Sequence, residues 1–372
     1  MKSLSRTALP HEELLGSCLA DVSRAFYLSM RILPLEVRVP IGAAYLLARA
    51  ADTLADNPAL QPTERLQDLN AWAQIISSQE PASEYQSCWE HWASYGRRQA
   101  VRKGLTAGEV RLLERLPQVY TLYQSLDPYA KQQVALVVET LIKGMQLDLS
   151  YFPGAFRTLE QIEDYTYLVA GCVGQFWSRI TSHYLRAISP SDLPLMEAWG
   201  VEFGKALQYV NILRDLPRDL TNGRAYIPGL GLERVVGDGQ GSLDIYKERL
   251  YPWVERALEH FYWAWRYIQK TPWRAYWLRL ATIWPVAIGL GTLYKLVASP
   301  QWPSFQARIK VSRRWVYLMM GCTLLIAWSN WALELGFQLL AGRILIQVER
   351  ALAAEAKSLP GAQEALLQLA PT

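Results

Sequence analysis

The sequence predicts an all-α fold, built as a single helical bundle. Long segments carry apolar residues at three- and four-residue spacing, which is the pattern of helices with one buried face. Alternating β-branched runs bounded by turn dipeptides, which would indicate strands, are almost absent. With 372 residues, 51% of them hydrophobic and 19% charged, the chain is long enough to bury one large core.

The periodic segments predict helices separated by stretches rich in Pro, Gly or Asn, such as DNPALQP, YFPGAF and SPSDLP. The glycine-rich connector at 229–241 is the one candidate internal boundary, but neither half has a separate character and no internal repeat is visible. We therefore expect one domain over residues 1–314, followed by an apolar helix and tail over 315–372. The predicted helices are residues 11–30, 35–56, 63–77, 84–101, 107–124, 127–152, 159–187, 192–220, 243–269, 275–298 and 310–354.

Charge and cysteine usage exclude several classes of function. The net charge of +4 is small and dispersed, without the basic stripe interleaved with aromatic residues that a nucleic-acid partner requires. The N-terminus lacks the apolar core of a signal peptide, so we expect the chain to fold in the cytoplasm. Neither a zinc site nor a disulfide framework is indicated, because the four cysteines are far apart: Cys18, Cys88, Cys172 and Cys322.

Residues 315–333 form an apolar run without a charged side chain. The run is just long enough to cross a membrane, with a basic flank on the cytoplasmic side. Three interpretations stay open: a buried last helix, a membrane span, and an apolar surface in peripheral contact with the membrane. Ten of the 15 tryptophans follow residue 250, which suits the third interpretation and a location on the cytoplasmic face of a membrane.

Polar side chains form a stripe on each of two apolar helices. Tyr45, Arg49, Asp52 and Asp56 are spaced by four, three and four residues, which places them on one face of the predicted helix 35–56. Taken alone, such a pair of carboxylates is more typical of solvated surface charge.

The second stripe lies on the predicted helix 192–220. Its members at intervals of three, four and four residues are Gln208, Asn211, Asp215 and Asp219. Facing the first stripe across a cavity, it would make an oxygen-only environment suited to Mg²⁺, which keeps waters and bridges to substrate phosphates. Because Pro217 lies between the two aspartates, we expect the helix to kink or loosen there. Asn211 and Asp215 would then be direct ligands, and Asp219 a weaker or water-mediated one.

With both motifs, the sequence resembles the squalene/phytoene synthases, head-to-head prenyltransferases of the all-α isoprenoid synthase fold. The resemblance covers about residues 15–315, and NILRDLPRDLTNGRAYIP is its most specific block. In that family, two DxxxD motifs on opposed helices bind Mg²⁺ and the diphosphates of two prenyl substrates around a deep apolar cavity. The resemblance implies that the catalytic carboxylates are Asp52, Asp56, Asp215 and Asp219, which with Asn211 are also the metal ligands.

Further segments match the family in order along the chain, namely SRAFYLSMRILP at 23–34, GMQLDL at 144–149 and YTYLVAGCVG at 165–174. The resemblance implies that Tyr165 is a proton acceptor or a cation-stabilising group. Gly171 and Gly174 are equally consistent with close packing of helices. The residues implied to bind substrate are Ser23, Arg24, Phe26, Tyr45, Arg49, Asp148, Gln208, Asn211, Arg214, Arg224 and Tyr226.

The family reaction joins two identical prenyl diphosphates into a cyclopropyl intermediate, which is then ionised and rearranged. Squalene synthases quench the second cation with hydride from NADPH, whereas phytoene and dehydrosqualene synthases lose a proton. The Ser23–Arg24 pair, segment 279–314 and the apolar tail look more like squalene synthases. We therefore expect two farnesyl diphosphates, Mg²⁺ and NADPH (or NADH), with Lys310 and Arg313 as candidates for the hydride-donor site. A phytoene or dehydrosqualene synthase and a non-enzymatic scaffold are the alternatives.

Overall fold

The structure, a computed structural model, describes residues 10–23, 25–78, 82–98, 101, 103–230, 247–304 and 309–358. Within these ranges the chain is almost entirely helical, which confirms the all-α prediction. The two strands, β1 (Gly154–Ala155) and β2 (Arg224–Ala225), pair in parallel. The helices are α1 (Pro10–Glu13), α2 (Leu19–Ser23), α3 (Ala25–Arg31), α4 (Leu35–Ala55), α5 (Pro62–Ser77), α6 (Gln86–Arg97), α7 (Ala107–Glu114), α8 (Leu116–Gln124), α9 (Pro128–Tyr151), α10 (Leu159–Thr166), α11 (Cys172–Leu185), α12 (Leu193–Thr221), α13 (Lys247–Lys270), α14 (Tyr276–Ala298), α15 (Arg313–Ile326) and α16 (Asn330–Ser358).

Helices α4, α5, α9, α12 and α14 begin and end within one residue of their predicted bounds. The predicted helix 107–124 is wrong as one element, because the chain bends at Arg115 between α7 and α8. Pro117 has no N–H for the carbonyl of Leu113, which favours a break at this point. Most of the connector at 229–241 lies outside the described residues.

The predicted helix 310–354 is also wrong as one element. Helices α15 and α16 share it, so the apolar run 315–333 does not form one helix. The hydroxyl of Ser329 accepts a 3.2 Å hydrogen bond from the amide of Ala332 and caps the start of α16. Two helices of the described chain are long and apolar enough to cross a membrane, α14 with 78% of its apolar window buried and α16 with 17%. Burial identifies α14 as a core helix, whereas α16 presents apolar surface.

Helices α11 and α12 approach each other to backbone contact. A Cβ atom on Gly174 would lie 1.7 Å from the carbonyl oxygen of Gly200, and one on Gly204 would lie 2.2 Å from that of Ala170. A larger residue would force the helices apart at these positions, so Gly174 has the packing role considered from the sequence. The contact brings the second polar stripe close to α11.

The expected loosening of the helix at Pro217 is wrong, because α12 continues through the proline to Thr221. The carbonyl of Leu213, which a residue other than proline would bond, instead accepts a 3.1 Å hydrogen bond from the indole Nε1–H of Trp302. Asp219 therefore keeps its helical registry with Asp215.

Candidate active site

Helices α4, α9, α11 and α12 contribute to the wall of a cavity of about 520 Å³. Most of the wall is apolar and includes Ile41, Val137, Leu141, Met145, Phe176 and Trp177. Charged side chains collect where α4 and α9 end, and we call this group the charged rim: Arg49, Asp52, Asp56, Asp148 and Arg224. The cavity thus combines one charged end with a long apolar interior.

A second cavity of about 260 Å³ adjoins the first. The two share six lining residues, Phe26, Val169, Val173, Trp177, Gln208 and Asn211. Helix α14 closes the second cavity with Ala281, Thr282 and Pro285. Two apolar chambers therefore meet beside the amide side chains of α12.

The first aspartate pair lies at the end of α4. Asp52 accepts a hydrogen bond from Arg49, whose other terminal nitrogen lies 2.5 Å from Glu109. Glu109 is the third residue of α7 and also caps that helix, accepting a 2.7 Å bond from the amide of Thr106. Arg49 is thus held between α4 and α7 and cannot neutralise Asp52 alone.

Arg224 closes the charged rim from the other side. Its guanidinium lies 3.3 Å from Asp56 and 3.1 Å from Asp148. The chain reverses before it at Gly223, whose φ of 74° favours glycine, and the β1–β2 pairing fixes the returning strand. The resemblance implied that Arg224 binds substrate, and the structure places it in the lining of the first cavity.

Two tyrosines stand behind the rim. Tyr226 donates a 2.7 Å hydrogen bond to Asp148 and stacks on Tyr165 with ring centroids 4.8 Å apart. Burial and the neighbouring charge of Asp148 raise the pKa of Tyr165 well above 10. The Tyr165 hydroxyl is therefore protonated at neutral pH, a state in which it can donate a hydrogen bond.

The second aspartate pair lies outside the lining of both cavities. Asp215 is engaged by its neighbour Arg214 through two guanidinium nitrogens, one of them 2.9 Å away. Asn211 donates a 3.2 Å hydrogen bond to Gln208, and both side chains face the chambers. Of the second polar stripe, the structure brings these two amides into the cavity and leaves the two aspartates beside it.

One carboxylate in each aspartate pair, Asp52 and Asp219, has a raised pKa. Burial and the like charge of Asp56 raise the pKa of Asp52 to about 6, although Arg49 pulls it down. Burial and the like charge of Asp215 raise the pKa of Asp219 to about 7, against the opposing effect of Arg224. Such shifts indicate a site with too little positive charge for its carboxylates.

The donor chemistry of these residues fits Mg²⁺. All candidate ligands present oxygen, and Mg²⁺ is usually held by one or two carboxylates together with waters and substrate phosphates. Across the described ranges, no three His, Cys, Asp or Glu side chains form a group that could hold a metal ion by themselves. The arrangement suits an ion that arrives with a diphosphate better than a metal caged by protein alone.

The other predicted residues are distributed unevenly. Phe26 and Tyr45 line the first cavity with ring centroids 5.9 Å apart. The hydroxyl of Ser23 is buried and bonds the carbonyl of Leu19, 2.5 Å away. Arg24 lies outside the described residues. Lys310 and Arg313 are exposed, and neither lines a cavity.

Sequence reasoning missed two residues at the site. Glu109 left a signal, the capping pattern Thr-x-x-Glu, but nothing in that pattern indicates that its second oxygen reaches Arg49 across 60 residues. Trp177 lines both chambers and lies 6.4 Å from Phe26 between ring centroids. Only the general excess of tryptophan hinted at an aromatic wall.

Comparison with known proteins agrees with this geometry. A protein-family model described as squalene/phytoene synthase matches residues 19–315. Squalene synthase LSS of Botryococcus braunii is 28% identical over 57% of this chain, but the match spans only 41% of that protein's length. Presqualene diphosphate synthase of Zymomonas mobilis is 27% identical over 65% of this chain and 67% of its own. For 15-cis-phytoene synthase of Synechocystis, the identity is 26% over 60% and 57%.

Solved structures confirm the fold. The complex of TcSQS with the ligand E5700 superimposes with a TM-score of 0.69 and 21% identity, over 92% of this chain and 98% of TcSQS. A second TcSQS complex, with BPH1237, gives the same TM-score at 20% identity. The predicted isoprenoid synthase fold, a helical bundle around a deep apolar cavity, is therefore confirmed.

Proposed function

Because this chain belongs to the squalene/phytoene synthase family, whose members are prenyltransferases, we propose that it condenses two farnesyl diphosphates head to head and reduces the product to squalene. The observation that carries the proposal is a charged rim opening into two joined apolar chambers. A diphosphate suits the rim and a prenyl chain suits each chamber, since ligand sites pair apolar walls with few polar anchors.

Ionisation of an allylic diphosphate separates a carbocation from a highly charged anion. Arg49 and Arg224 place positive charge at the rim, where it stabilises the departing diphosphate. The aromatic rings of Phe26, Tyr45 and Trp177 line the adjoining interior. Their faces stabilise a cation, and their bulk excludes the water that would quench it.

Magnesium fits the proposal through the chain's own oxygen ligands. The residues that would hold it are Asp52 and Asp56 from α4 with Asn211, Asp215 and Asp219 from α12. When bound, Mg²⁺ supplies charge that polarises the diphosphate and stabilises it as a leaving group. The raised pKa values of Asp52 and Asp219 support this assignment, since a bound cation would offset the like charge that contributes to both shifts.

Fewer residues of this chain support the reductive step than support the condensation. Lys310 and Arg313 lie outside both chambers, so these two side chains do not fit a nicotinamide beside the reacting carbons. Support for squalene as product comes from segment 279–314, which resembles squalene synthases and contributes Ala281, Thr282 and Pro285 to the second chamber.

One assay tests the proposal. Purified protein is incubated with labelled farnesyl or geranylgeranyl diphosphate and Mg²⁺, with and without NADPH, and the products are identified. Squalene that forms only with NADPH supports the proposal. Presqualene diphosphate as the final product under both conditions would leave the condensation and overturn the reduction.

The alternatives give distinct outcomes in that assay. C40 phytoene from geranylgeranyl diphosphate would overturn the substrate assignment, and dehydrosqualene without reductant would overturn the need for NADPH. No turnover of either substrate would favour a synthase-like scaffold. The similarity to 15-cis-phytoene synthase makes the geranylgeranyl arm a necessary part of the design.

We also propose that the protein works on the cytoplasmic face of a membrane. Helices α15 and α16 expose large apolar side chains, with Leu325 and Trp331 at 75% and 76% exposure. On α16, exposed apolar residues recur at near-helical spacing: Trp331, Leu335, Leu339 and Ile346. Exposed Lys310, Arg313 and Arg314 add the positive charge that anionic lipid attracts.

Co-sedimentation with vesicles tests this location. The protein should bind vesicles that contain anionic lipid, and W328S/W331S should weaken binding because tryptophan anchors at the interface. The matched control is L136S/L195S, which changes exposed apolar residues on α9 and α12. Equal binding by both double variants, or no binding by the wild type, would refute peripheral membrane contact.

A further inference from the structure

The turn of α12 that carries the second aspartate pair has a defect in its main-chain hydrogen bonding. Pro217 has no N–H, so the carbonyl of Leu213 loses the donor that a regular helix supplies four residues later. Leu213 is fully buried, so water does not replace that donor. The indole Nε1–H of Trp302 does so, at 3.1 Å.

Trp302 is held firmly in this role. Its side chain is buried, and its amide donates a 3.2 Å hydrogen bond to Ser299 at the end of α14. The loop that follows α14 therefore crosses to α12 and ties the wall of the second chamber to the aspartate turn. The indole N–H of Trp302 thus takes the place of the main-chain N–H that Pro217 lacks.

Three other prolines lie inside helices, Pro40, Pro252 and Pro285. In the part of the chain that the structure describes, no side-chain donor is seen on the carbonyl four residues before any of them, in contrast to Pro217. Among the described residues, Pro217 is therefore the internal proline whose missing bond a side-chain donor replaces.

We propose that Trp302 is a positioning residue for Asp215 and Asp219. Its N–H substitutes for the hydrogen bond that Pro217 removes, and so it keeps the turn helical and the two carboxylates in register, four residues apart on one face. Loss of the N–H would leave a buried carbonyl unbonded and allow the turn to bend at the proline. The role in metal binding rests on the proposed function, whereas the role in holding the turn does not.

Four variants test the proposal: W302F, P217A, P217A/W302F and the control W72F. W302F keeps a buried aromatic ring but removes the donor. P217A restores a main-chain N–H at position 217, so the double variant should regain the bond from inside the helix. Trp72 is fully buried and its indole nitrogen has no hydrogen-bond partner among the described residues, so W72F measures the cost of the ring change alone.

Two readouts are compared. Hydrogen–deuterium exchange of the peptide covering residues 213–221 should be faster in W302F and return towards the wild-type rate in P217A/W302F. The Mg²⁺ concentration for half-maximal turnover should rise roughly threefold to tenfold in W302F, as expected for a buried carbonyl left unbonded, and fall again in the double variant. P217A and W72F should leave both readouts near wild type.

The outcomes separate this proposal from the proposed function. A W302F effect no larger than that of W72F, or a double variant no better than W302F in exchange, would overturn the positioning role. If the wild type turns over no prenyl diphosphate, the proposed function fails, and the exchange rates of the same four variants still decide whether Trp302 holds the turn.

Discussion

Two clusters of buried charge in this fold shift their carboxylates in opposite directions. The first surrounds Glu163 on α10, which accepts hydrogen bonds from Lys205 at 2.7 Å, Tyr209 at 2.6 Å and Arg256 at 2.8 Å. Burial alone would raise the pKa of Glu163. Its neighbours, with His260 at 3.5 Å first among them, followed by Lys205, Tyr209 and Arg256, outweigh burial and hold that pKa well below the usual 4.5.

The second cluster is the charged rim with the neighbouring Asp219. Here burial and like charge win, so the pKa of Asp52 rises to about 6 and that of Asp219 to about 7. Arg49 and Arg224 are the cations of the rim, and Arg49 is shared with Glu109. The rim therefore has more carboxylate than cation.

The opposite pKa shifts of the two clusters distinguish a structural charge cluster from a functional one. Around Glu163 each charged side chain lies within 4 Å of one of opposite charge, so we call this cluster complete; its ion pairs join α10, α12 and α13. At the rim the deficit of positive charge faces a cavity, where an incoming cation can correct it. Residue type alone, an acid on an apolar helix, is the same in both.

The largest expected effect comes from removing a carboxylate from either aspartate pair, Asp52 at the charged rim or Asp215 beside the cavity. D52N and D215N should each lower kcat by about a thousandfold or more, because removing one carboxylate charge removes metal-borne stabilisation of the leaving diphosphate. The Tm should stay near that of the wild type or rise slightly, since like-charge repulsion is relieved. Steady-state turnover measures the change in kcat, and thermal melts followed by circular dichroism measure the Tm. Retained activity in both variants would contradict the metal assignment.

The corresponding acid-to-amide change in the complete cluster, E163Q, should lower stability and leave catalysis almost unchanged. E163Q leaves Lys205, Arg256 and His260 without their shared carboxylate, and breaking such buried pairs costs about 3 kcal/mol. Thermal and denaturant unfolding should show this loss, while kcat of the folded protein at low temperature changes little. A variant with wild-type stability but no activity would place Glu163 in the chemistry and reverse the comparison.

Much of the fold and part of the site could be predicted because both depend on the spacing of residues that are close in the sequence. Periodicity predicted the long helices, and spacings of three and four residues placed Arg49, Asp52 and Asp56 on one face at the end of α4. The two clusters cannot be told apart in this way. The partners of Glu163 lie on other helices, Arg256 among them at a separation of 93 residues, and no pattern in the sequence near Glu163 indicates the pairing.

Pro217 is a second case in which a long-range contact decides the structure. Local physics predicts a break at an internal proline, and this prediction is wrong because a donor 89 residues from Leu213 supplies the missing bond. Tertiary contact overrides a local rule at a point that carries two candidate ligands, which is where such conflicts are expected. Glu109 is a similar case, since its cap is local and its bond to Arg49 is not.

A smaller effect is expected on the Tm when Mg²⁺ and inorganic diphosphate are added, and this effect also distinguishes the two clusters. Mg²⁺ with inorganic diphosphate should raise the Tm of the wild type by a few degrees, since a ligand that binds only the folded state stabilises it. E163Q should show the same rise from its lower starting point, because its rim is intact. D52N should show little or none. A scanning-fluorimetry series with chelator as the blank measures all three, and an equal rise in D52N would place the binding site elsewhere.

The smallest expected effect is the pH dependence that His260 gives to the complete cluster. Burial lowers the pKa of His260, but the neighbouring carboxylates of Glu163, 3.5 Å away, and Glu202, 2.5 Å away, outweigh burial and raise it above 6.5. A raised folded-state pKa stabilises the protein fully below pH 6.5 and loses that contribution as pH rises through the folded-state value.

The Tm difference between wild type and H260Q should therefore be largest near pH 6 and shrink by a few degrees towards pH 9. Lys205 and Arg256 also face Glu163, and the ring of Tyr209 stacks on the imidazole with centroids 5.0 Å apart. The imidazole is the side chain of this cluster whose ordinary pKa lies within this pH range. Differential scanning calorimetry at several pH values measures the trend. A constant Tm difference would mean that His260 is neutral in the fold, and the cluster would then lack one of the cations that complete it.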